Sequence, residues 1–168
     1  KFGNLLRGNT YQNRYADSEL EFTSMLENVQ FDTVEGLTIG MGTLYRKKFE
    51  TKSSLESELD LRYGFSNEKL SGQAAVQYNW NIKKFAFVRI EGGDDLVQFN
   101  EAAPISPFIN TGYTLFAEKN YMKLFKKSFG KVSARIEPLN GIRFSGGVEW
   151  SERTAVLNTT DYTWVDKE

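Results

Sequence analysis

Between residues 53 and 65, hydrophobic and polar side chains alternate with a period of two. Leu55, Leu59, Leu61, Tyr63 and Phe65 share one parity with Ser53 and Ser57; Glu56, Glu58, Asp60 and Arg62 share the other with Ser54 and Gly64. Successive side chains of a strand point to opposite faces, so the stretch predicts a strand with one apolar and one charged face. On a helix the same residues would scatter around the axis. The pattern recurs. Leu70, Gly72, Ala74, Val76, Tyr78, Trp80 and Ile82 alternate with Ser71, Gln73, Ala75, Gln77, Asn79 and Asn81. Leu37, Ile39, Met41 and Tyr45 alternate with Thr38, Gly40, Gly42 and Arg46, and Ile142, Phe144, Val148 and Trp150 with Arg143, Ser145, Gly147 and Glu149. A strand over 85–92 is less regular, and 18–29, 129–138 and 154–164 are weaker candidates.

Ser66-Asn67-Glu68-Lys69, Asn81-Ile82-Lys83-Lys84 and Asn140-Gly141 read as turns, the last as a tight hairpin. Short links between successive strands predict a meander of antiparallel neighbours. The alternation lapses over a long connection, about 93–128. Gly92-Gly93-Asp94-Asp95 reads as a turn at its start, and Pro104 and Pro107 rule out regular structure between them. Tyr113, Phe116, Ala117, Tyr121, Leu124 and Phe125 then recur at helical spacing, which predicts a short amphipathic helix within 112–127, either interfacial or packed in a lumen, with a structured loop or an irregular strand end as the competing reading. The excursion leaves from the same end as the 66–69 turn. Longer loops tend to lie on the outer side of a barrel, which makes that end the outward one.

The resulting fold class is all-β: an antiparallel meander of long strands forming part of a transmembrane β-barrel, with one short helix in a long loop, over a single region 1–168. The runs are about as long as the ~9–11 residues a tilted strand needs to cross hydrocarbon, against ~5–6 in globular sheets. Aromatic residues gather at strand ends as two girdles, Tyr63 and Phe65 at one and Tyr78, Trp80 and Phe85 at the other, with Trp150 assigned to the same belt. Leu55, Leu59, Leu61, Leu70, Ala74, Val76, Ile142, Phe144 and Val148 are expected on lipid. Arg46, Glu56, Glu58, Asp60, Arg62, Gln73, Gln77, Asn79, Arg143 and Glu149 are expected to line the lumen.

Composition narrows the chemistry. The chain has 168 residues, with 21 basic and 22 acidic residues, no histidine and no cysteine. Near-neutral charge argues against a nucleic-acid surface. Without histidine or cysteine there is no Ser-His-Asp arrangement, thiolate metal site or disulfide. No apolar run approaches the ~20 residues of a membrane helix, although alternating strands escape such a search. The expectation is a non-enzyme without cofactor, in the bacterial outer membrane, partnered by outer-membrane lipid, with other envelope proteins as candidate partners.

Four features invite a sharper reading. The row Glu56, Glu58 and Asp60 can in principle do acid–base work or bind a cation, but Arg62 on the same face and Arg46 across from it favour a charge ladder that fixes register and sets the lumen field. Gly92-Gly93-Asp94-Asp95 lacks the spacing of a calcium or phosphate loop. Asn158-Thr159-Thr160 matches a glycosylation sequon, without meaning in a bacterial barrel. Lys123, Lys126, Lys127 and Lys131 suit a solvated loop face or anionic head groups.

Three segments carry a resemblance: Phe31-Asp32-Thr33-Val34-Glu35-Gly36-Leu37, Glu118-Lys119-Asn120-Tyr121-Met122-Lys123-Leu124 and Asn158-Thr159-Thr160-Asp161-Tyr162. Together, in this order, they resemble a family of uncharacterised outer-membrane proteins with an N-terminal carboxypeptidase-regulatory-like β-sandwich followed by a large barrel; Asp32 stands where that family usually has Asn. The resemblance implies that the chain is a central part of such a barrel, and it brings no catalytic residues. Lys1 at the start, in place of Met, and the ending Val165-Asp166-Lys167-Glu168 fit a piece of a longer protein. The competing readings are a small complete eight-stranded barrel serving as an anchor or adhesion module, and a soluble ligand-binding barrel.

Overall fold

A computed structural model describes residues 8–25, 28–100, 104–117 and 120–158. Among these residues nine strands are present: β1 (Asn9–Asn13), β2 (Ser18–Phe22), β3 (Val29–Asp32), β4 (Gly36–Lys48), β5 (Ser54–Gly64), β6 (Lys69–Asn81), β7 (Ala86–Gln98), β8 (Leu124–Leu139) and β9 (Ile142–Ala155). One α-helix, α1 (Pro107–Ala117), lies between β7 and β8, and a 3-10 turn (Ile82–Lys84) joins β6 to β7. All pairings are antiparallel, in the order β1-β2-β4-β5-β6-β7-β8-β9, with β3 beside β4. The sheet is an open meander, the all-β architecture that the alternation predicts.

β5 and β6 lie within a residue of their expected limits. Elsewhere the boundaries move. Gly92-Gly93-Asp94-Asp95 is not a turn: all four residues lie inside β7, which continues to Gln98. Pairing with both neighbours overrides local turn propensity, and Gly93, at φ +152°, is where β7 departs from β6; the ladder between them stops at Gly72–Asp94. The long connection is therefore 99–123. Its helix starts at Pro107, five residues before the expected window, because proline is well suited to the first turn, whose N–H groups have no partner inside the helix. Residues 124–127, expected to be helical, open β8 instead, and β8 runs well beyond the 129–138 segment. Pro138, which cannot donate to a ladder, sits at the irregularity between Ile136 and Leu139. The candidate strand 18–29 is β2 with, at its last residue, the start of β3; between them Thr23 and Asn28 hydrogen-bond through their backbones to Gly42 and Gly40 of β4. A Cβ on Gly42 would lie 2.9 Å from Thr23 Oγ1, so this close approach requires glycine. β9 ends at Ala155; most of the candidate strand 154–164 lies outside the described residues.

The sheet is rolled. The Thr33 hydroxyl, in the β3–β4 turn, donates to Asn158 Oδ1 at 2.8 Å, three residues past β9. In a flat sheet β4 and β9 would be ~24 Å apart, at ~4.8 Å per strand step, whereas three extended residues reach only ~10 Å.

The register sorts side chains into two faces. Rows such as Tyr45–Ser57–Val76–Ile90–Val132–Val148 run across the apolar face. No second layer packs on that face among the described residues; the main packing beyond the strand ladders is α1 on β3. Val148 is 77% exposed, Leu70 68% and Leu59 41%. The small buried core lies elsewhere, at one end of the sheet, where Val34, Met122 and Leu124 meet Leu96, Ile105 and Val156.

Candidate functional site: a charged face and its capped end

Opposite the apolar face, the strands present an ion-pair network. The Arg89 guanidinium on β7 donates to both oxygens of Glu58 on β5, at 3.0 and 2.7 Å, reaching across β6. Its Nε donates to Glu91 at 2.7 Å, and Glu91 in turn pairs with Lys131 on β8 at 2.8 Å. Lys127 pairs with Glu149 on β9 at 2.7 Å. The Asn79 amide donates to Ser54 and Glu56, and the Gln77 amide donates to Asn79. Asp60 is hydrogen-bonded to Gln73, its cross-strand neighbour. Arg143 pairs with Glu137 near the β8–β9 turn.

All ten residues expected on the polar face therefore share one face by register, and the nine expected on lipid share the other. The partners within the network differ from the expected ones. Arg46 is directly opposite Glu56, yet its guanidinium turns away to Glu21 on β2 at 3.3 Å. Arg89, Glu91, Lys127 and Lys131 carry much of the network and were not placed there by sequence reasoning. The available signal was their shared parity with one another once β7 and β8 are extended to full length. Among the described residues no group of three acidic residues is arranged to hold a metal.

On the apolar face, Tyr63 and Phe65 pack edge to face at 5.2 Å at one end, and Tyr78 and Trp80 occupy the other end of the same strand pair. Phe85 falls outside any strand and takes φ +47° in the turn before β7. Trp150 stands level with Gly130, Gly92 and Ala74, in mid-row rather than at a strand end.

The third feature is the cap at the end holding the 33–35 and 65–68 turns. Asp32 Oδ1 accepts the Val34 and Glu35 N–H groups at 2.7 and 2.8 Å, so an aspartate serves well at this turn. Glu35 is 2% exposed; it lies 2.8 Å from Arg62 Nε, and Arg62 also reaches Asp95. The Arg62 Nε–H makes no aligned hydrogen bond, so its contact with Glu35 is charge on charge. Burial outweighs Arg62 and pushes the Glu35 carboxyl above its ordinary value. Asn110 on α1 is fully buried, and its Oδ1 accepts the Tyr121 and Met122 N–H groups at 3.0 and 3.3 Å. Its Nδ2 donates to Asn120, and the Asn120 amide donates to Thr33. Thr33 then donates to Asn158, so one hydrogen-bond chain joins the 31–37, 118–124 and 158–162 segments at their described residues. Beside it, where β6 and β7 part, a cleft of about 620 Å³ is lined by Glu35, Ser71, Asp95, Leu96, Lys126 and Val156, among others. Of the four lysines singled out in the sequence, Lys126, Lys127 and Lys131 are engaged in ion pairs and Lys123 is exposed.

The three segments most distinctive in the sequence are thus those that lock the capped end. No curated protein and no solved structure matches this chain. The C-terminal domain of DUF5686, described as a family of unknown function, matches residues 3–168, nearly the whole chain, and the chain belongs to that family.

Proposed function

We propose that this chain forms part of an outer-membrane β-barrel with a structural or transport-related, non-enzymatic role, its apolar face on lipid and its charged face on the lumen. One observation carries the reading: the apolar band crosses the sheet obliquely. On β4 it runs from Leu37 to Tyr45 and is ended by Lys47; on β9 it runs from Ile142 to Trp150 and is ended by Glu152. Each run is nine residues (45 − 37 + 1 and 150 − 142 + 1), close to the ~9–11 that cross hydrocarbon. Following the register, Tyr45 is level with Val148, so from β4 to β9 the far edge of the band climbs six residues (148 − 142). Across five strand steps that is about one residue per strand. At ~3.3 Å rise and ~4.8 Å spacing, it corresponds to strands tilted by about 40° from the normal of a flat slab. A soluble sheet has no reason to carry its apolar band across the strands at such a slant. Trp150 also finds its place, because the oblique band ends there on β9.

The rolled sheet and the side chains that reach across β6 support the polar face as the concave one. The unpaired outer edges of β1 and β9, among the described residues, favour a part of a larger barrel over a small closed one, since a free edge is not tolerated in lipid. The neighbourhood proposed is outer-membrane lipid, with other envelope proteins as candidate partners of the whole assembly, and the N-terminal β-sandwich suggested by the sequence motifs belongs to the same proposal.

Charge substitutions at neighbouring positions of β6 test it. Val76→Arg puts a cation in mid-band, at a cost of about 2–4 kcal/mol in hydrocarbon, and is expected to reduce membrane-assembled intact protein at least tenfold. Gln77→Arg, one residue on, is expected to assemble normally. Equal tolerance of both would overturn the assignment.

A further inference from the structure

Helix α1 is amphipathic the wrong way round for water. The side it turns to the protein carries Asn110, Thr111, Thr114 and Leu115, three of them polar, with Asn110 and Thr114 buried. The side it leaves open carries Phe108, Ile109, Tyr113 and Phe116, with Phe108 83% exposed. Tyr113 also stacks edge to face on the half-exposed Tyr121 at 5.2 Å. No charged residue occurs in 107–117. A helix on a water-facing loop has the opposite arrangement.

Its position says what covers it. The Thr111 hydroxyl binds both the N–H and the C=O of Phe31, each at 3.0 Å, which pins α1 along the outer edge of β3. Phe31 pairs with Leu37, where the apolar band begins on β4, and Val29 and Leu37 are exposed there. Helix α1 therefore lies beside the apolar band at its capped end. Lys123, exposed a few residues on, suits anionic head groups.

We propose that α1 is an interfacial helix that seats Phe108, Ile109, Tyr113 and Phe116 in the head-group–acyl boundary of the bilayer, a proposal that rests on the barrel reading above. It anchors the capped end at a fixed depth.

The test uses the intact protein with all its tryptophans, Trp80, Trp150 and Trp164 among them, replaced by Phe, reconstituted in phosphatidylcholine–phosphatidylglycerol vesicles. Single reporters are Phe108→Trp, Phe116→Trp and, on the sheet, Val76→Trp. Both helix reporters are expected to lose emission to lipids brominated near the head group, while Val76→Trp loses it to lipids brominated deep in the chain. Helix reporters quenched only by aqueous iodide, beside a lipid-quenched Val76→Trp, would overturn the interfacial helix and leave the barrel standing. Helix reporters shielded from both quenchers would mean a protein partner and would equally overturn it. If none of the three reporters meets lipid, the barrel reading falls as well.

Discussion

Asn110 shows how much one side chain holds at the capped end. Its oxygen is the acceptor for two backbone N–H groups, and its amide continues the chain through Asn120 to Thr33. Asn110→Ala removes the acceptor of the Tyr121 N–H, while the Met122 N–H keeps Asn120 Oδ1 at 3.1 Å, so one group is left unsatisfied at roughly 1–3 kcal/mol. Equilibrium unfolding in urea should therefore show a loss of about 1–3 kcal/mol. Glu35 gives a pH signature. Its carboxyl titrates above the ordinary value because burial outweighs Arg62, so the folded state holds the proton more tightly than the unfolded chain. Stability linked to Glu35 must then rise as pH falls from above the raised value toward 4.5, and be fully present below it. Urea midpoints of the protein and of Glu35→Gln, compared across that window, should shift in favour of the protein as pH falls; parallel profiles would contradict this. Neither residue was legible in advance. Glu35 was seen only as a letter of a motif, and Asn110 lay outside the expected helix.

Strands with strict alternation were legible, and the one whose local sequence reads as a turn was not. β5 and β6 keep parity along their length, so their limits could be read closely. β7 carries Gly-Gly-Asp-Asp, whose local preference is for a turn, and only the ladders to β6 and β8 keep it extended. The helix was misplaced for a related reason: Leu124 and Phe125 of β8 happen to continue the helical spacing of Tyr113 and Phe116. Two glycines on adjacent strands separate the cases. A Cβ on Gly93 would fall 2.2 Å from the Gly72 carbonyl oxygen, at a φ that side chains rarely adopt, whereas Gly130 has nothing within 4 Å. Gly93→Ala should lower the yield of folded protein sharply, by about 2 kcal/mol or more in stability. Gly130→Ala should fold like the parent in the same assay.

Across the whole chain, two kinds of information were needed. Parity in the sequence was enough to separate a charged from an apolar face. The slant of the apolar band, the roll of the sheet and the cross-strand partners of Arg89 depend on register, which no single strand contains. Together they join a two-residue rhythm to a slanted apolar wall, the one the proposed barrel would set against lipid, whose other side is a network of paired charges. This chain has no cysteine, so once any cysteine elsewhere in the intact protein is replaced by Ser one scan is direct. Single spin-labelled cysteines at each position of 70–80, in the intact protein in bilayers, report collision with oxygen, which concentrates in lipid, and with a water-soluble nickel complex. Oxygen accessibility should peak at the even positions, Leu70 through Trp80, and nickel accessibility at the odd ones, with a period of two. Even positions that collide freely with nickel, or that are closed to both reagents, would contradict the lipid-facing wall.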